Sequence, residues 1–312
     1  MIVAVTSTLE TRASSGSADA GPQLAPDARR AKVDRRTYWT LLIPGMLGLL
    51  VSFVLPLLWM LRMAFNKGAA NGVVISTFSL DTFAQVLKAP YYREVALTTF
   101  RMGLTVALLC VLLSYPIALF LKRSTSRWKG LLTALAIAPL LTSSIVRSYG
   151  WIVILGSNGL VNSSLEGLHL ISTPIKLDNN LTGVIIGLVE VFMPYAILVM
   201  ISGFGQLSPQ LEQAAASLGA NSLKVFTRIT LRLSLPALLS SFLLVFVLSI
   251  STFVTPQLLG GGAVHVLATE IYDQANGLIN WPFASALSVI VFLLFGIVIG
   301  VYQRLIKKVA AA

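Results

Sequence analysis

The chain has 312 residues, of which 56% are hydrophobic and only 11% are charged, and this composition excludes a soluble globular domain. The formal net charge of +11 would suit a nucleic-acid-binding protein. However, the basic residues cluster in the segments between apolar runs, which is the positive-inside bias of a membrane protein, so no nucleic acid is needed to explain them.

The N-terminal segment, residues 1–37, is rich in Ser, Ala, Asp and Arg. It holds no apolar core of signal-peptide length, and such a composition buries too little apolar surface to fold. We therefore predict a disordered cytoplasmic tail. One transmembrane domain is predicted over residues 38–312, with a cytoplasmic loop at 208–236.

Six apolar runs are long enough to cross a bilayer, because about 20 helical residues span a hydrocarbon core of about 30 Å. Alternating short amphipathic segments of the outer-membrane barrel type are absent from the sequence. The sequence therefore predicts an all-α transmembrane bundle of six helices, five of them with an internal proline. The runs cover residues 41–65, 102–121, 130–155, 181–205, 236–259 and 283–302.

The distribution of basic residues predicts the topology. Lysine and arginine number 16 in the tail, the second and fourth loops and the C-terminal segment together, against 4 in the other three loops. The more basic side of a membrane protein faces the cytoplasm. Both termini are therefore predicted to be cytoplasmic.

The outer loops are expected to contain short helices. Ser79 can cap one over residues 81–87. A second is predicted over residues 161–168. A third is predicted over residues 266–275, after three consecutive glycines that end the fifth run.

The chain shows no catalytic chemistry of its own. Its single cysteine, Cys110, and its two histidines, His169 and His265, are too few and too scattered for a disulfide framework or a metal centre. It lacks the Gly-x-x-x-x-Gly-Lys-Ser/Thr loop that cradles the phosphates of ATP. We therefore expect a non-enzymatic chain without cofactors, and if transport is ATP-driven, another polypeptide must bind ATP and Mg²⁺.

The loop at 208–236 is amphipathic and basic, and it lies between two apolar runs. Ser208, followed by proline, is typical of a helix N-terminus, and Gly219 is the residue type that closes a helix. Asn221 or Ser222 can cap a second helix that runs towards Arg232. The loop is therefore predicted to form a helix-glycine-helix elbow.

This elbow resembles the cytoplasmic coupling loop of ATP-binding-cassette importer permeases, whose pattern is Glu-Ala-Ala, three residues, Gly, nine residues, Ile-x-Leu-Pro. Gln213 replaces the usual Glu, with Glu212 one residue early, and Arg232 replaces the Pro, with Pro236 four residues late. The resemblance implies that the loop contacts an ATPase, and Glu212 is a further candidate contact. The residues on the family spacing are Gln213, Ala214, Ala215, Gly219, Ile229 and Leu231.

Further motifs resemble the spermidine/putrescine branch of these permeases, and they include LSYPIA at 113–118, TSSIVRSYGW at 142–151, FVTPQLLGG at 253–261 and NWPFASA at 280–286. The resemblance implies a six-helix type I permease in a bacterial inner membrane. Its partners would be an ATPase dimer, a second homologous permease, preferably forming a heterodimer, and a periplasmic substrate-binding protein. The branch also includes importers of opines, ferric iron and phosphonates, so a polyamine or similar organic cation is the favoured cargo among several.

Glu190 is the only acidic residue inside an apolar run, and a charge at that position should face the bundle interior and have a partner. Arg147 lies 8 residues before the end of the third run, and Glu190 lies 9 residues into the fourth. At 1.5 Å per residue these depths are about 12 Å and 14 Å, so we predict an ion pair. Three roles stay open for Glu190: a structural or gating pair, contact with a cationic cargo, and contact with the partner permease.

Several aromatic residues can offer ring faces to an ammonium ion that passes through the bundle. Trp and Tyr also collect at membrane interfaces, and this interpretation is favoured for Trp151 and Trp281, near the outer ends of their runs. Tyr195, beside a proline in the fourth run, is the better candidate. The predicted translocation residues are Glu190, Arg147, Tyr149, Tyr195, Phe253 and Trp281.

An alternative from a different class is a secondary transporter in which Glu190 carries a coupling proton. Such a transporter needs no ATPase and leaves the coupling loop without a function. The sequence also shows no convincing inverted repeat, which many secondary transporters contain. The permease of an ATP-driven importer is therefore the preferred prediction.

Overall fold

The structure, a computed structural model, describes residues 35–68 and 73–310. Residues 1–34, most of the predicted disordered tail, lie outside the described residues, whereas positions 35–37 already belong to a helix. The chain divides into two units, one up to Pro56 and one from Leu57 onwards.

The described part of the first unit is a single helix, α1 (Arg35–Met63), whose last residues belong to the second unit. This helix contains the first predicted span. Its apolar side chains are exposed all the way from Leu42 to Leu55, as expected for a helix surrounded by lipid. The helix continues through Pro44 and Pro56.

The second unit begins with a short antiparallel ribbon, β1 (Lys67–Gly68) and β2 (Val74–Ile75), followed by α2 (Asp81–Lys88). The ribbon was not predicted, because two-residue strands carry no periodic pattern. Lys67 Nζ lies 2.5 Å from Asp81 Oδ2 and ties the ribbon to α2. This hydrogen bond holds the pKa of the Asp81 carboxyl below its usual value, so the tie weakens only as the pH falls well into the acidic range.

Three long helices form the centre of the second unit: α3 (Pro90–Arg123), α7 (Leu181–Gly203) and α10 (Leu231–Ser251). Each packs along the other two. Their shared core is apolar and buried, as the pattern of hydrophobic residues predicts. It includes Met102, Val106, Cys110, Val184, Leu188, Val245, Phe246 and Ile250.

Pro194 lies inside α7, where it removes one backbone donor. Side chains of α3 donate to carbonyl groups near it. Cys110 Sγ donates to the Val189 carbonyl oxygen at 3.5 Å, and Ser114 Oγ donates to that of Met193 at 3.2 Å. These two bonds tie α3 to α7 on either side of the carbonyl of residue 190, which the proline leaves without its helical donor.

The third apolar run is not one continuous helix, and the break lies at its internal proline, Pro139. It is divided into α4 (Lys129–Ile137) with a 3₁₀ turn (Ala138–Leu141), and α5 (Ser144–Leu155), which leads to α6 (Leu160–Gly167). The two parts are bent by 96°. Pro139 lies at the start of the 3₁₀ turn. The Ser143 side chain caps α5 by accepting the Ile145 N–H at 3.3 Å. The proline and the capping serine together break an otherwise apolar run.

The fifth run also has different bounds from those predicted. Its helix is continuous over Ser222–Ser251, through α9 (Ser222–Val225), a π turn (Phe226–Thr230) and α10. The helix then ends, and two non-helical residues separate it from α11 (Val254–Leu259). The second half of the predicted loop therefore belongs to the spanning helix, which also continues through Pro236.

The predicted short helices of the outer loops are present. α2 begins where Ser79 Oγ accepts the Asp81 N–H at 3.1 Å. α6 coincides with the second prediction to within a residue. The third prediction corresponds to α12 (Leu267–Tyr272), extended by a π turn (Asp273–Gly277).

The chain ends in α13 (Trp281–Ala310), which contains the sixth predicted span. A second buried cluster, Val86, Val95, Leu267 and Leu287, joins α2, α3, α12 and α13. Within the described residues, five helices are long and apolar enough to cross a membrane, or six if the bent pair of the third run counts as one span.

Candidate functional site

The predicted ion pair is present between α5 and α7. Arg147 Nη1 lies 3.4 Å from Glu190 Oε1, and the two side chains are 12% and 30% exposed. The Trp151 Nε1–H donates to Glu190 Oε2, also at 3.4 Å. Trp151 lies one helical turn after Arg147, so α5 presents both donors to the same carboxylate.

The positive charge of the Arg147 guanidinium is only partly compensated by its surroundings. Its Nε atom is buried and has no hydrogen-bond partner among the described residues. It also lies in the first turns of α5, where the helix dipole disfavours a positive charge. Glu190 is therefore the main electrostatic support of Arg147.

α5 is positioned for this contact by α11 and α7. Ser148 Oγ lies 3.4 Å from Thr255 Oγ1 in a buried contact between α5 and α11. At Gly187 on α7 an added Cβ would meet Leu259 Cδ2 at 2.8 Å and Thr255 Cγ2 at 3.3 Å. Glycine at this position thus allows α7 to approach α11 closely.

The other predicted translocation residues are not gathered around Glu190. Tyr149 and Tyr195 are 57% and 38% exposed, and Trp281 is 49% exposed. The Phe253 ring packs on Tyr272, with centroids 4.5 Å apart. No hydrogen bond joins these four residues to Glu190 within the described residues, and their roles stay predictions.

Sequence reasoning favoured an interfacial role for Trp151 and left it out of the translocation residues, yet it contacts Glu190. The spacing of Arg147 and Trp151, four residues apart on one helix, would have placed both on the same face. That spacing was the available signal.

The loop at 208–236 forms the predicted elbow. α8 (Pro209–Ser217) ends at Gly219, whose φ is +83°. The Ala220 N–H donates to the Ala215 carbonyl at 3.1 Å, and the Gly219 N–H donates to that of Ala216 at 2.9 Å, which is the Schellman motif. Gly219 thus closes the first helix with the left-handed backbone that glycine favours.

The second helix begins at the predicted cap, since Asn221 Oδ1 accepts the Lys224 N–H at 2.9 Å. At the first helix the prediction is only partly right. α8 starts after Ser208, but the Ser208 side chain makes no capping bond and donates instead to Gln210 Oε1.

Glu212 ties the elbow to the bundle. It pairs with Arg123, the last residue of α3, and accepts a hydrogen bond from Thr230 Oγ1 at 2.7 Å. Arg123 Nη2 also lies 3.4 Å from Thr230 Oγ1. The carboxylate that is one residue early on the family spacing therefore faces inwards, and the three residues link α8, α3 and the start of α10.

The sequence offered no local signal for Arg123 and Thr230, because they lie 89 and 18 residues from Glu212. The remaining predicted coupling residues divide by burial. Gln213, Ala214 and Gly219 are exposed, whereas Ala215, Ile229 and Leu231 are half-buried.

Large apolar side chains of the elbow point outwards. Leu211, Leu218 and Leu223 are 48%, 89% and 69% exposed. We call these three residues the leucine face. Exposed apolar residues at this density, beside a basic helix, are typical of a protein–protein contact.

A kinked bundle of membrane helices, with a buried ion pair inside and a rigid elbow at one end, defines the class of membrane-embedded transport subunits. The chain belongs to the family of binding-protein-dependent transport system inner membrane components, whose family model matches residues 51–310. The predicted fold, an all-α permease bundle of the type I importer kind, is confirmed with this membership.

Among the curated relatives, the spermidine/putrescine transport system permease protein PotB of Escherichia coli (strain K12) is 33% identical over 264 residues, which cover 84% of this chain and 96% of that protein. PotB of Haemophilus influenzae (strain ATCC 51907 / DSM 11121 / KW20 / Rd) is 32% identical over 82% of this chain and 89% of its own length.

Among solved structures, a bacterial ABC transporter involved in the import of the acidic polysaccharide alginate matches with a TM-score of 0.67. The match has 16% sequence identity and covers 87% of this chain and 95% of that chain. At this identity the likeness shows the fold alone. The family model and the PotB relatives confirm the resemblance inferred from the sequence motifs.

Proposed function

We propose that this chain is a permease subunit of an ATP-driven importer that carries polyamines or similar small organic cations across the bacterial inner membrane. The observation that carries the proposal is the elbow: an exposed leucine face on a rigid turn, anchored to two membrane helices through Glu212, Arg123 and Thr230. An elbow attached to two membrane helices can transmit to them the movement of a protein that binds its exposed face.

The proposed partners follow from the parts that the chain lacks. Its sequence has no phosphate-cradling loop, so ATP and Mg²⁺ would bind to a dimer of separate ATPase subunits that contact the leucine face. A second homologous permease, preferably different from this chain, would complete the pathway. A periplasmic binding protein would deliver the cargo, and both termini would lie in the cytoplasm with the elbow.

In the proposed cycle, closure of the ATPase dimer on ATP binding displaces the elbow as one body, because the Schellman turn and the Asn221 cap leave it little freedom. The displacement reaches α3 through Arg123 and α10 through Thr230. α7 packs against both helices and carries Glu190. Movement of α7 against α5 would thus open or close the Arg147–Glu190 contact.

The cargo assignment is supported by the two PotB relatives and by a charged pair that a cationic cargo could exchange with. Opines, ferric iron and phosphonates stay as alternative cargoes. Two of these, ferric iron and phosphonate, differ from a polyamine in charge density or sign, so a direct transport assay separates them.

The test uses the assembled complex of this chain with its ATPase, its partner permease and its binding protein, reconstituted in nanodiscs. We expect the ATPase rate to rise severalfold when the binding protein is loaded with spermidine or putrescine. Ferric citrate and a phosphonate serve as matched alternative ligands. An ATPase rate that polyamine-loaded binding protein leaves unchanged would contradict the proposal.

A further inference from the structure

A cavity of about 480 Å³ lies at the N-terminal end of α3. It is formed by α3, the loop that precedes α7 and the loop between α11 and α12. None of its lining residues belongs to the ion pair or to the coupling loop. Its volume falls within the range of small-molecule sites, and its polar lining residues are Tyr91, Glu94, Thr98, Asn179, Asn180 and His265.

When His265 is neutral, the only formal charge in the cavity lining is negative. Glu94 contributes a carboxylate, and the lining contains no lysine or arginine. Among the described residues the Glu94 side chain makes no ion pair or hydrogen bond. Tyr91, one turn earlier on α3, is 45% exposed and offers its ring on the same side of the helix.

A second carboxylate lies directly behind the lining. The Glu270 side chain is 8% exposed, and both of its hydrogen-bond partners are lining residues. The Tyr91 hydroxyl donates to Glu270 Oε1 at 2.5 Å, and His265 Nδ1 lies 3.0 Å from the same oxygen. Within the described residues, His265 is the only basic group that contacts Glu270.

This arrangement leaves a buried carboxylate without a permanent cation. Burying a charge is costly unless another charge compensates it, and His265 compensates Glu270 only when its imidazole is protonated. A cation in the cavity would contact Glu94 directly. It would also be attracted by Glu270 across the Tyr91 and His265 side chains, and the phenol ring adds a cation–π face.

We propose that this cavity is a binding subsite for the ammonium group of a linear amine. Glu94 contacts the ammonium, Tyr91 supplies a ring face, and Glu270 acts as a buried counter-charge through Tyr91 and His265. The proposal deepens the proposed function, on which it rests for the class of ligand. It places a second cation-binding point on the chain, separate from Glu190.

The test measures equilibrium binding of radiolabelled putrescine to the permease–ATPase complex in nanodiscs, without binding protein. We expect saturable binding that 1,4-butanediol, an uncharged analogue of similar length, does not displace. Glu94→Gln should raise the dissociation constant about tenfold, the effect expected for one lost charge-assisted hydrogen bond. Glu166→Gln, on the exposed surface of α6 and outside the cavity, is the matched control and should bind as the wild type does.

Three outcomes would overturn the subsite: no saturable binding to the wild type, equal displacement by butanediol, or unchanged binding in Glu94→Gln. If Glu190→Gln abolishes binding while Glu94→Gln does not, the amine binds at the ion pair instead, and the subsite is also overturned. Because Glu94 is exposed, Glu94→Gln should fold normally, whereas Glu270→Gln serves only as a supporting variant.

Failure of the subsite and failure of the proposed function are distinguishable. If polyamine-loaded binding protein stimulates the wild-type ATPase but Glu94→Gln binds and transports normally, the function stands and the subsite falls. If loaded binding protein gives no stimulation while putrescine binding still depends on Glu94, the subsite stands and the proposed cargo falls.

Discussion

Among the described residues, Glu190 is the only acidic side chain that pairs with Arg147. Arg147 is 12% exposed, and its Nε atom has no partner among the described residues, so a neutral residue at position 190 leaves a buried guanidinium without its counter-charge. Removing one member of a buried pair costs about 3 kcal/mol or more. The cost is smaller here, because Glu190 is 30% exposed.

We predict that Glu190→Gln lowers uptake at least severalfold while the amount of protein in the membrane falls less. If Glu190 only neutralises Arg147, the double variant Glu190→Gln with Arg147→Gln recovers uptake, since no charge is then left unpaired. If Glu190 meets the cationic cargo, the double variant stays inactive. Radiolabelled uptake, normalised to immunoblot abundance, measures both, and unchanged uptake in the single variant would remove Glu190 from either role.

A second prediction at the scale of single residues concerns Glu212. We expect Glu212→Gln to reduce transport severalfold at constant ATPase hydrolysis, because the elbow loses its attachment to Arg123 while its leucine face stays available to the ATPase. Arg123→Gln should give a similar loss, and the double variant should be no worse than either single one.

Gln213→Ala provides the control for that experiment. Gln213 occupies the family's Glu position but is exposed, so its replacement should leave coupling near the wild-type level. A stronger defect in Gln213→Ala than in Glu212→Gln would show that the family position, and not its neighbour, carries the coupling contact.

The elbow is an element whose shape depends on one backbone conformation. Gly219 has a φ of +83°, and no atom lies within 4 Å of a Cβ built on it. Space is therefore not limiting, and only the left-handed backbone disfavours other residues. A β-branched residue resists this conformation, whereas asparagine tolerates it.

We therefore predict that Gly219→Val uncouples transport and lowers ATPase co-purification, whereas Gly219→Asn retains both. Since the two side chains are similar in size, the comparison isolates the backbone requirement. Affinity purification of the complex followed by uptake in proteoliposomes measures the difference. Wild-type behaviour of Gly219→Val would contradict the assignment of this turn.

The elements that could be predicted from the sequence are those with local signals. The elbow was predictable because a glycine and an asparagine cap lie at fixed offsets within a few residues. In the third run the internal proline marked where the helix is interrupted, but the 96° size of the bend was not predictable, because it also depends on the 3₁₀ turn and the Ser143 cap. The continuous Ser222–Ser251 helix was hidden by its basic first turns.

The same difference between local signals and long-range contacts holds for the residues of the site. The Arg147–Glu190 contact followed from equal depths on successive helices, which is a simple consequence of helical rise. The contact of Glu212 with Arg123 joins residues 89 positions apart, and no periodicity or spacing connects them. Such tertiary contacts depend on how the helices pack, which the sequence pattern leaves undetermined.

At the scale of the whole molecule, the proposed topology gives a direct test. Cys110 is buried and is the only cysteine in the sequence, so Cys110→Ser provides a cysteine-free background. We expect Thr125→Cys, in the loop between α3 and α4, to react with a membrane-impermeant maleimide only in inverted vesicles. Leu168→Cys, after α6, should react only in intact spheroplasts.

Both positions are exposed, so differences in labelling report the side of the membrane and not burial. Labelling of the two cysteines from the same side, or with the sides exchanged, would contradict the proposed orientation and with it the cytoplasmic position of the elbow.

The unbroken helix from Ser222 to Ser251 has a mechanical consequence. Its 30 residues make a rod about 45 Å long, at 1.5 Å per residue. A tilt of only about 5° at the elbow would therefore displace the far end by about 4 Å. The first break in the rod comes at Thr252, just before α11, whose Thr255 contacts the α5 helix that carries Arg147. A small tilt at the elbow end of this helix thus becomes a large linear displacement at its other end, beside the contact between α11 and α5.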